Sequence, residues 1–109
     1  MARHICMNLM TSFNMSKSSK LAKVLARIEA EHQEKSVWIV GQETGRLLHW
    51  LVRVMQPEVI FEIGTSVGYS ALWMADALES NKGGELWTVE SHQERFERAQ
   101  HNITESGLS

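Results

Sequence analysis

The sequence predicts an α/β fold, the amino-terminal part of a doubly wound parallel sheet with the order helix, helix, strand, helix, strand, helix. A short, almost wholly apolar run rich in β-branched residues, 59–63, and a second predicted strand, 85–90, are each followed by a helical repeat, and a glycine-rich turn joins the first run to its helix. The chain has 109 residues, which suits one domain or part of one.

The composition excludes several classes of protein. Hydrophobic residues make up 43% of the chain and charged residues 22%, which argues against disorder, collagen and coiled coil. The formal charge of −2 gives no global attraction for anionic lipid or nucleic acid, so we expect no membrane partner and find no indication of nucleic-acid binding. Cys6 is the single cysteine, which excludes an intrachain disulfide and fits a cytoplasmic location.

The first part of the chain shows neither a helical nor a strand period. We expect residues 1–19 to be a flexible amino-terminal segment and residues 20–109 to be the truncated amino-terminal half of a domain. The apolar stretch after His4 is interrupted and lacks a cleavage site, which argues against a signal peptide. Met15 is a candidate start residue, because ordered patterning begins only after it.

The first predicted helix covers residues 17–34. Its basic side chains Lys20, Lys23 and Arg27 form a stripe, which we interpret as a solvated surface; contact with an anionic substrate is the alternative. The side chains expected to face inward are Leu21, Leu25 and Ile28, with Ala22, Ala26 and Ala30 in support.

The second predicted helix, Gln42–Met55, ends before Pro57, which lacks an N–H donor and disfavours helical geometry at the preceding residue. We expect Arg46, His49 and Arg53 on its solvent side. The apolar side chains expected to face inward are Leu47, Leu48, Leu51, Val54 and Met55.

After Pro57 the pattern changes to strands alternating with helices. Val59–Ile63 is predicted to be a strand covered on both faces, Tyr69–Ser80 a helix, Glu85–Glu90 a second strand and 92–105 a further helix. Two parallel strands leave open edges, which are unfavourable alone. We therefore expect the chain to be a fragment of a longer protein or a subunit completed by another chain.

The segment 62–70, with the sequence EIGTSVGYS, lies between the first strand and its helix and is the candidate ligand loop. Gly64 and Gly68 allow a sharp turn and a close backbone approach. The helix start presents amides to a carboxylate or phosphate, and Glu90 ends the next strand, where an acid can accept both hydroxyls of a ribose. Together these features predict nucleoside-cofactor binding.

Three loop chemistries compete for this segment. The phosphate-binding loop is absent because no lysine follows the glycines, and the dinucleotide fingerprint fails because Glu62 occupies its first glycine position. The Glu62 carboxylate suits a cofactor with a cationic amine. The segment 64–68 also matches the nucleophile elbow of serine hydrolases, with Ser66 as nucleophile. Only helices precede this strand, however, and an elbow gives Glu62 and Glu90 no role.

From about Trp38 to Leu108 the sequence resembles class I S-adenosylmethionine-dependent methyltransferases, in particular the O-methyltransferase branch with catechol and caffeoyl-CoA O-methyltransferases. The segment 62–70 carries the resemblance, supported by the Val-Gly-Gln at 40–42 and the Thr-Val-Glu at 88–90. The resemblance implies a Rossmann-like fold and S-adenosylmethionine as cofactor.

The resemblance also implies a role for each matching residue at the methionine end of the cofactor. Val40 would line it, Glu62 would bind near the amino group, and Ser70 would donate to the cofactor carboxylate. Gly64 and Thr65 would form the close backbone wall.

At the other end of the cofactor, Glu90 would hold the ribose hydroxyls. The next residue in the family usually packs on the adenine, and here it is the small and polar Ser91. The resemblance assigns Tyr69 equally to the site wall or to helix packing.

The implied reaction is methyl transfer to a hydroxyl of a small-molecule or RNA acceptor by in-line displacement. In this branch a divalent cation, commonly magnesium, prepares the acceptor oxygen, and its ligands lie after the fourth helix. The present sequence contains none of these ligands and no catalytic residue, so we expect activity only from a full-length protein. A homo-oligomer is one of the assemblies compatible with this reading.

The aromatic and imidazole side chains give no second site. The five histidines are not spaced for one metal site, and we expect surface or helix-end positions for them. The tryptophans Trp38, Trp50, Trp73 and Trp87 are expected to pack in the core, with Trp38 as the exception that could line a substrate pocket.

Overall fold

The computed structural model describes residues 3–8 and 15–108. These residues form three strands and four helices, and the predicted order of helices and strands is confirmed with one strand in front of it. The α/β fold class is therefore as predicted. The elements are β1 (Arg3–Asn8), α1 (Met15–Glu34), α2 (Gln42–Met55), β2 (Val59–Ile63), α3 (Tyr69–Ser80), β3 (Glu85–Glu90) and α4 (Gln93–Ser106).

The sheet has the order β1-β3-β2. Strands β2 and β3 are parallel, with Glu62 opposite Thr88, and α3 forms the crossover between them. Strand β1 is antiparallel to β3, with Ile5 opposite Thr88. The parallel pair brings the carboxyl ends of β2 and β3 to the same edge of the sheet, where ligands bind in open α/β folds.

The amino terminus differs from the sequence prediction. Arg3–Asn8 is a strand, and α1 begins at Met15 rather than at residue 17. Ile5 is 8% exposed on the covered face of the sheet, and the Arg3 guanidinium lies over the Phe96 ring. Periodicity did not reveal this strand, because its backbone partner, β3, lies far away in the sequence. The division of the chain at residue 20 stays a prediction.

Helices cover only one face of the sheet. Alternation along β3 leaves Leu86 and Thr88 buried and Trp87 39% exposed. The expectation that β2 is covered on both faces is wrong for the described residues. A right-handed crossover places α3 on one side, and α4 continues on that side, so no described helix reaches the other. On this open face the exposed fractions of Val59, Phe61 and Ile63 are 59%, 62% and 80%.

The core lies between α1, α3, α4 and the covered face of the sheet. The predicted inward positions Leu21, Leu25 and Ile28 are buried, as expected. The predicted supporting alanines of α1 are exposed instead, and Val24 packs in the core. Helix α3 has seven buried residues among its twelve, and they are Tyr69, Ala71, Leu72, Met74, Ala75, Ala77 and Leu78.

The predicted inward face of α2 is wrong. Gly45 and Val52 are the buried residues of this helix, whereas four of the five predicted positions are exposed. The cause is the close approach of α3, whose Trp73 indole lies where a Cβ on residue 45 would stand. His49 also turns towards α3, with Nε2 2.9 Å from Asp76 Oδ2. The exposed positions are Leu47, Leu51, Val54 and Met55.

Two further expectations are corrected by the packing of α1 and of the tryptophans. Lys20 and Lys23 are exposed as predicted, but Arg27 donates to Glu105 Oε2 and Asn102 Oδ1, each at 2.6 Å, and so ties α1 to α4.

Only Trp73 among the tryptophans packs against the core; the exposed fractions of Trp38, Trp50 and Trp87 are 76%, 58% and 39%.

Within residues 3–8 and 15–108, no helix combines the length and the apolar character needed to cross a membrane.

Candidate functional site

The turn after β2 is tied to the end of β3 through its backbone. The N–H groups of Gly64 and Thr65 both donate to the Val89 carbonyl, at 2.9 and 3.0 Å. Gly64 and Gly68 have φ values of 92° and 90°, a region that glycine enters without steric cost. A Cβ built on Gly64 would meet nothing within 4 Å. The turn therefore presents an open stretch of backbone beside the strand ends.

Glu62, the penultimate residue of β2, projects into this region and is half-buried. Its Oε2 accepts a hydrogen bond from the Ser70 hydroxyl at the start of α3, and its Oε1 accepts one of 2.7 Å from Thr88 of β3. Burial raises the pKa of Glu62, and the two hydroxyl donors oppose this shift without cancelling it. A cationic group at this carboxylate would favour the ionised form.

Thr65 and Thr88 form a buried pair beneath Glu62. Their hydroxyl oxygens are 2.5 Å apart, and the two residues are 1% and 0% exposed. Since Thr88 also contacts Glu62, three polar side chains from β2, the turn and β3 form one hydrogen-bonded chain.

Glu90 closes the site at the end of β3 and is 6% exposed. Its Oε2 accepts from the Ser66 N–H at 2.8 Å, and its Oε1 accepts from the His92 N–H at 3.0 Å. Burial alone would raise the pKa of Glu90, but the backbone donors of His92, Ser66 and Ser91, together with the charge of Arg95, lower it overall. Glu90 is therefore held as a carboxylate.

The two carboxylates lie on the same face of the sheet. Glu62 is directly opposite Thr88, and Glu90 is two residues further along β3, so the strand alternation points all three side chains the same way. The open backbone of Gly64 lies between the two strand ends. The predicted arrangement of two acids beside a glycine-lined turn is present.

The structure places the other predicted site residues unequally. Thr65 lies in the buried pair, and the Ser70 hydroxyl is engaged by Glu62. Val40 is 48% exposed in the connection before α2. That connection approaches the turn at Val37, whose carbonyl lies 3.4 Å from the Ser66 hydroxyl. No described contact joins Val40 to Glu62.

Sequence reasoning missed the part played by Thr88. The signal was available, because residues 88 and 90 fall on one face of a strand and a parallel partner ending at Ile63 sets residue 62 opposite residue 88. The contact between Thr88 and Glu62 can be predicted only with the register of β2 against β3, which the separate strand predictions did not include.

The geometry does not support Ser66 as a nucleophile. Across residues 3–8 and 15–108, no histidine hydrogen-bonds to its hydroxyl, which points instead towards the Val37 carbonyl. A serine nucleophile needs a neighbouring base. The same residues contain no group of three His, Cys, Asp or Glu that could hold a metal ion, so they do not fit the divalent cation that the resemblance implies.

A groove between α1 and α4 is a poorer candidate. It has a volume of about 480 Å³, and none of the predicted site residues lines it. Its charges are largely paired with each other: Arg98 bonds to Glu31, and Arg27 lies 3.9 Å from the same carboxylate. The Arg98–Glu31 pair joins α4 to α1, whereas Arg27 and Glu31 both belong to α1.

Comparison with known proteins identifies the relatives of this chain. The family model described as O-methyltransferase matches residues 12–109. A catechol O-methyltransferase from Niastella koreensis is 40% identical over 70 residues, which cover 64% of this chain and 31% of that protein. The chain thus spans about a third of the length of this curated relative.

Solved structures give the same picture. The O-methyltransferase TomG from Streptomyces achromogenes, in complex with SAM, matches with a TM-score of 0.58 and 30% identity, over 92% of this chain and 41% of that one. An O-methyltransferase from Bacillus cereus, in complex with SAH, matches with a TM-score of 0.62 and 30% identity, over 83% of this chain and 39% of that one.

Proposed function

Because the chain belongs to the O-methyltransferase family, we propose that it is the S-adenosylmethionine-binding part of a methyltransferase that acts on a hydroxyl of a small-molecule or RNA acceptor. The observation that carries this proposal is the placement of Glu62 and Glu90 on one face of the sheet, at adjacent strand ends beside the open Gly64 backbone. The solved relatives in complex with SAM and SAH support the choice of cofactor.

In this proposal each acid recognises a different part of the cofactor. Glu62 binds the cationic amino group, whose charge compensates a carboxylate that is unfavourably buried when alone. Glu90 is held ionised by backbone donors and accepts hydrogen bonds from the ribose hydroxyls through its remaining lone pairs. Val40 lines the methionine end, and Gly64 with Thr65 supplies the backbone wall.

When bound, S-adenosylmethionine supplies an activated methyl group, so the residues of this chain need only bind and orient it. Ser70 lies beside Glu62, so its hydroxyl can turn from that carboxylate to the carboxylate of the cofactor. A divalent cation and the acceptor are assigned to parts of the protein beyond the described residues.

The open sheet face supports the proposal that more protein completes this domain. β2 has a described partner only on its β3 side, and its outward side chains are exposed. The curated relatives matched are about three times as long as the aligned portion of this chain. We assign the layer that would cover the open face of the sheet to a further segment of the same protein, with a second chain as the alternative. We also propose that the protein is located in the cytoplasm.

Calorimetric titration with S-adenosylhomocysteine tests the proposed function. We expect saturable binding by this chain, and at least about tenfold weaker binding by Glu90→Ala, because hydrogen bonds to a charged group are lost. Glu43→Gln, at an exposed position in the first turn of α2, is the control and should bind as the wild type does.

Two outcomes would contradict the proposal. Absence of any saturable heat would remove the cofactor assignment from this chain. Covalent labelling of the wild type by a fluorophosphonate, abolished in Ser66→Ala, would instead favour the serine hydrolase reading.

A further inference from the structure

The hydrogen bonds beneath Glu62 have a defined direction. Thr88 Oγ1 lies 2.7 Å from Glu62 Oε1, and an ionised carboxylate can only accept, so the single hydroxyl proton of Thr88 is committed to Glu62. The Thr65 hydroxyl, 2.5 Å from Thr88 Oγ1, must then be the donor to Thr88. The hydrogen bonds therefore run from Thr65 as donor to Thr88, and from Thr88 as donor to Glu62.

The two hydroxyl donors of Glu62 differ in their freedom. Ser70 is half-buried on the first turn of α3, and its hydroxyl can exchange Glu62 for a ligand. Thr88 is 0% exposed, and its β-branched side chain is restricted at χ1, so its hydroxyl has no alternative partner in solvent. Thr88 is thus the donor that stays on Glu62 whether or not a ligand is present.

We propose that Thr88 is a positioning residue for cofactor binding: its hydroxyl, itself oriented by Thr65, fixes the Glu62 carboxylate so that its other oxygen faces the amino group of the cofactor. This inference rests on the proposed function, in which Glu62 binds that amino group. Thr88 itself does not touch the cofactor, because it is enclosed beneath the carboxylate.

The arrangement has an electrostatic consequence for Glu62. Burial raises its pKa, and the donors Ser70 and Thr88 lower it, so loss of the Thr88 hydroxyl raises the pKa further. The ionisable side chains on the adjoining strand β3 and helix α3 are Glu85, Glu90, Tyr69, Asp76 and Glu79. Each of the first four has a described partner other than Glu62, namely Trp87 for Glu85, the Ser66 N–H for Glu90, Glu29 for Tyr69 and His49 for Asp76.

The first test follows the Glu62 carboxyl carbon by NMR during an acid titration of the unliganded chain. We expect Thr88→Val to raise the pKa of Glu62, Thr88→Ser to restore the wild-type titration, and Thr65→Val to give a smaller rise. A merely structural role for Thr88 would change stability without moving this titration. Identical Glu62 titrations in the wild type and Thr88→Val would overturn the inference.

The second test measures S-adenosylhomocysteine binding across pH. We expect Thr88→Val to bind about fivefold more weakly near neutral pH, with the loss of binding on acidification starting at a higher pH than in the wild type. Thr88→Ser should restore both. Equal affinities and pH profiles in the wild type and Thr88→Val would count against the inference, whereas failure of the wild type to bind would count against the proposed function and leave the NMR titration to decide.

A double variant controls for destabilisation of the fold by an unpaired buried hydroxyl. Thr88→Val leaves the buried Thr65 hydroxyl without its acceptor, which is costly in a protein interior. Thr65→Val combined with Thr88→Val removes both hydroxyls and keeps the side-chain shapes, so it tests the Glu62 titration in a chain with no orphaned donor.

Discussion

The backbone N–H of Ser66 donates a 2.8 Å hydrogen bond to Glu90 Oε2, which joins the turn after β2 to the tip of β3. Ser66 has a φ of 52°, a left-handed conformation that is uncommon for residues other than glycine. The bond therefore holds in place a backbone shape that the sequence alone does not favour. It also fixes the acid proposed to bind ribose before any ligand arrives.

Glu90 should stabilise the fold in a pH-dependent way. Its folded-state pKa lies below the ordinary value of 4.5, so its contribution is present above pH 4.5 and is lost as pH falls through the folded pKa. Urea unfolding should show a larger loss of stability on acidification in the wild type than in Glu90→Gln. Glu43→Gln is the control, and parallel wild-type and Glu90→Gln curves would contradict the prediction.

The contribution of Glu62 to folding stability should change with pH in the direction opposite to that of Glu90. Its folded-state pKa is raised above 4.5, so its contribution is present below pH 4.5 and is lost as pH rises through the folded pKa. We expect Glu62→Gln to gain stability relative to the wild type as pH is raised from about 4 to about 7. The measurement is the same urea unfolding series, and a difference between the two proteins that is constant with pH would refute the assignment.

Tyr69 is the single tyrosine of the chain, so its ionisation can be followed by tyrosinate absorbance. Burial and a 2.6 Å hydrogen bond to Glu29 raise its pKa to about 12, despite opposing effects of Trp73 and Arg46. We expect little tyrosinate at pH 10 in the wild type. Glu29→Gln should titrate at a lower pH, and Glu34→Gln, an exposed position on the same helix, should not. Titration of the folded wild type at the ordinary value of 10.0 would contradict this.

Gly45 should not tolerate alanine, although alanine normally stabilises a helix interior by about 0.5–1 kcal/mol over glycine. A Cβ at this position would stand 2.3 Å from Trp73 Nε1. We expect Gly45→Ala to destabilise the fold by about 1–3 kcal/mol in chemical denaturation, as overpacking does. Thr44→Ala, on the exposed side of the same helix, is the matched control. A stabilised Gly45→Ala would mean that α2 and α3 are further apart than described.

The ligand turn could be predicted because its determinants are local. Gly64 and Gly68 sit where positive φ is needed, and each acid lies at the end of its own strand. The bond from Ser66 to Glu90 and the contact of Thr88 with Glu62 could not be read from single segments, since they depend on the parallel register of β2 and β3.

The packing of α2 could not be predicted from its hydrophobic pattern. The apolar face of this helix is the exposed one, whereas Gly45 and Val52 meet α3 because a small residue lets the Trp73 indole approach. Strand β1 was missed because its partner, β3, is distant in the sequence, and no local pattern predicts such a long-range pairing.

The open face of the sheet should make this chain self-associate. Phe61 is 62% exposed among other apolar side chains on a strand whose outer edge has no described partner, and such surfaces promote association. Sedimentation velocity should show association of the wild type that grows with concentration and falls in Phe61→Lys. Gln100→Lys makes the same charge change on the exposed side of α4 and is the control, so it should associate like the wild type. Because Phe61 contributes little to the buried core, Phe61→Lys should keep the stability of this chain within about 1 kcal/mol. A wild type that is monomeric at all concentrations, or a Phe61→Lys chain that associates as strongly as the wild type, would show that this face does not drive self-association.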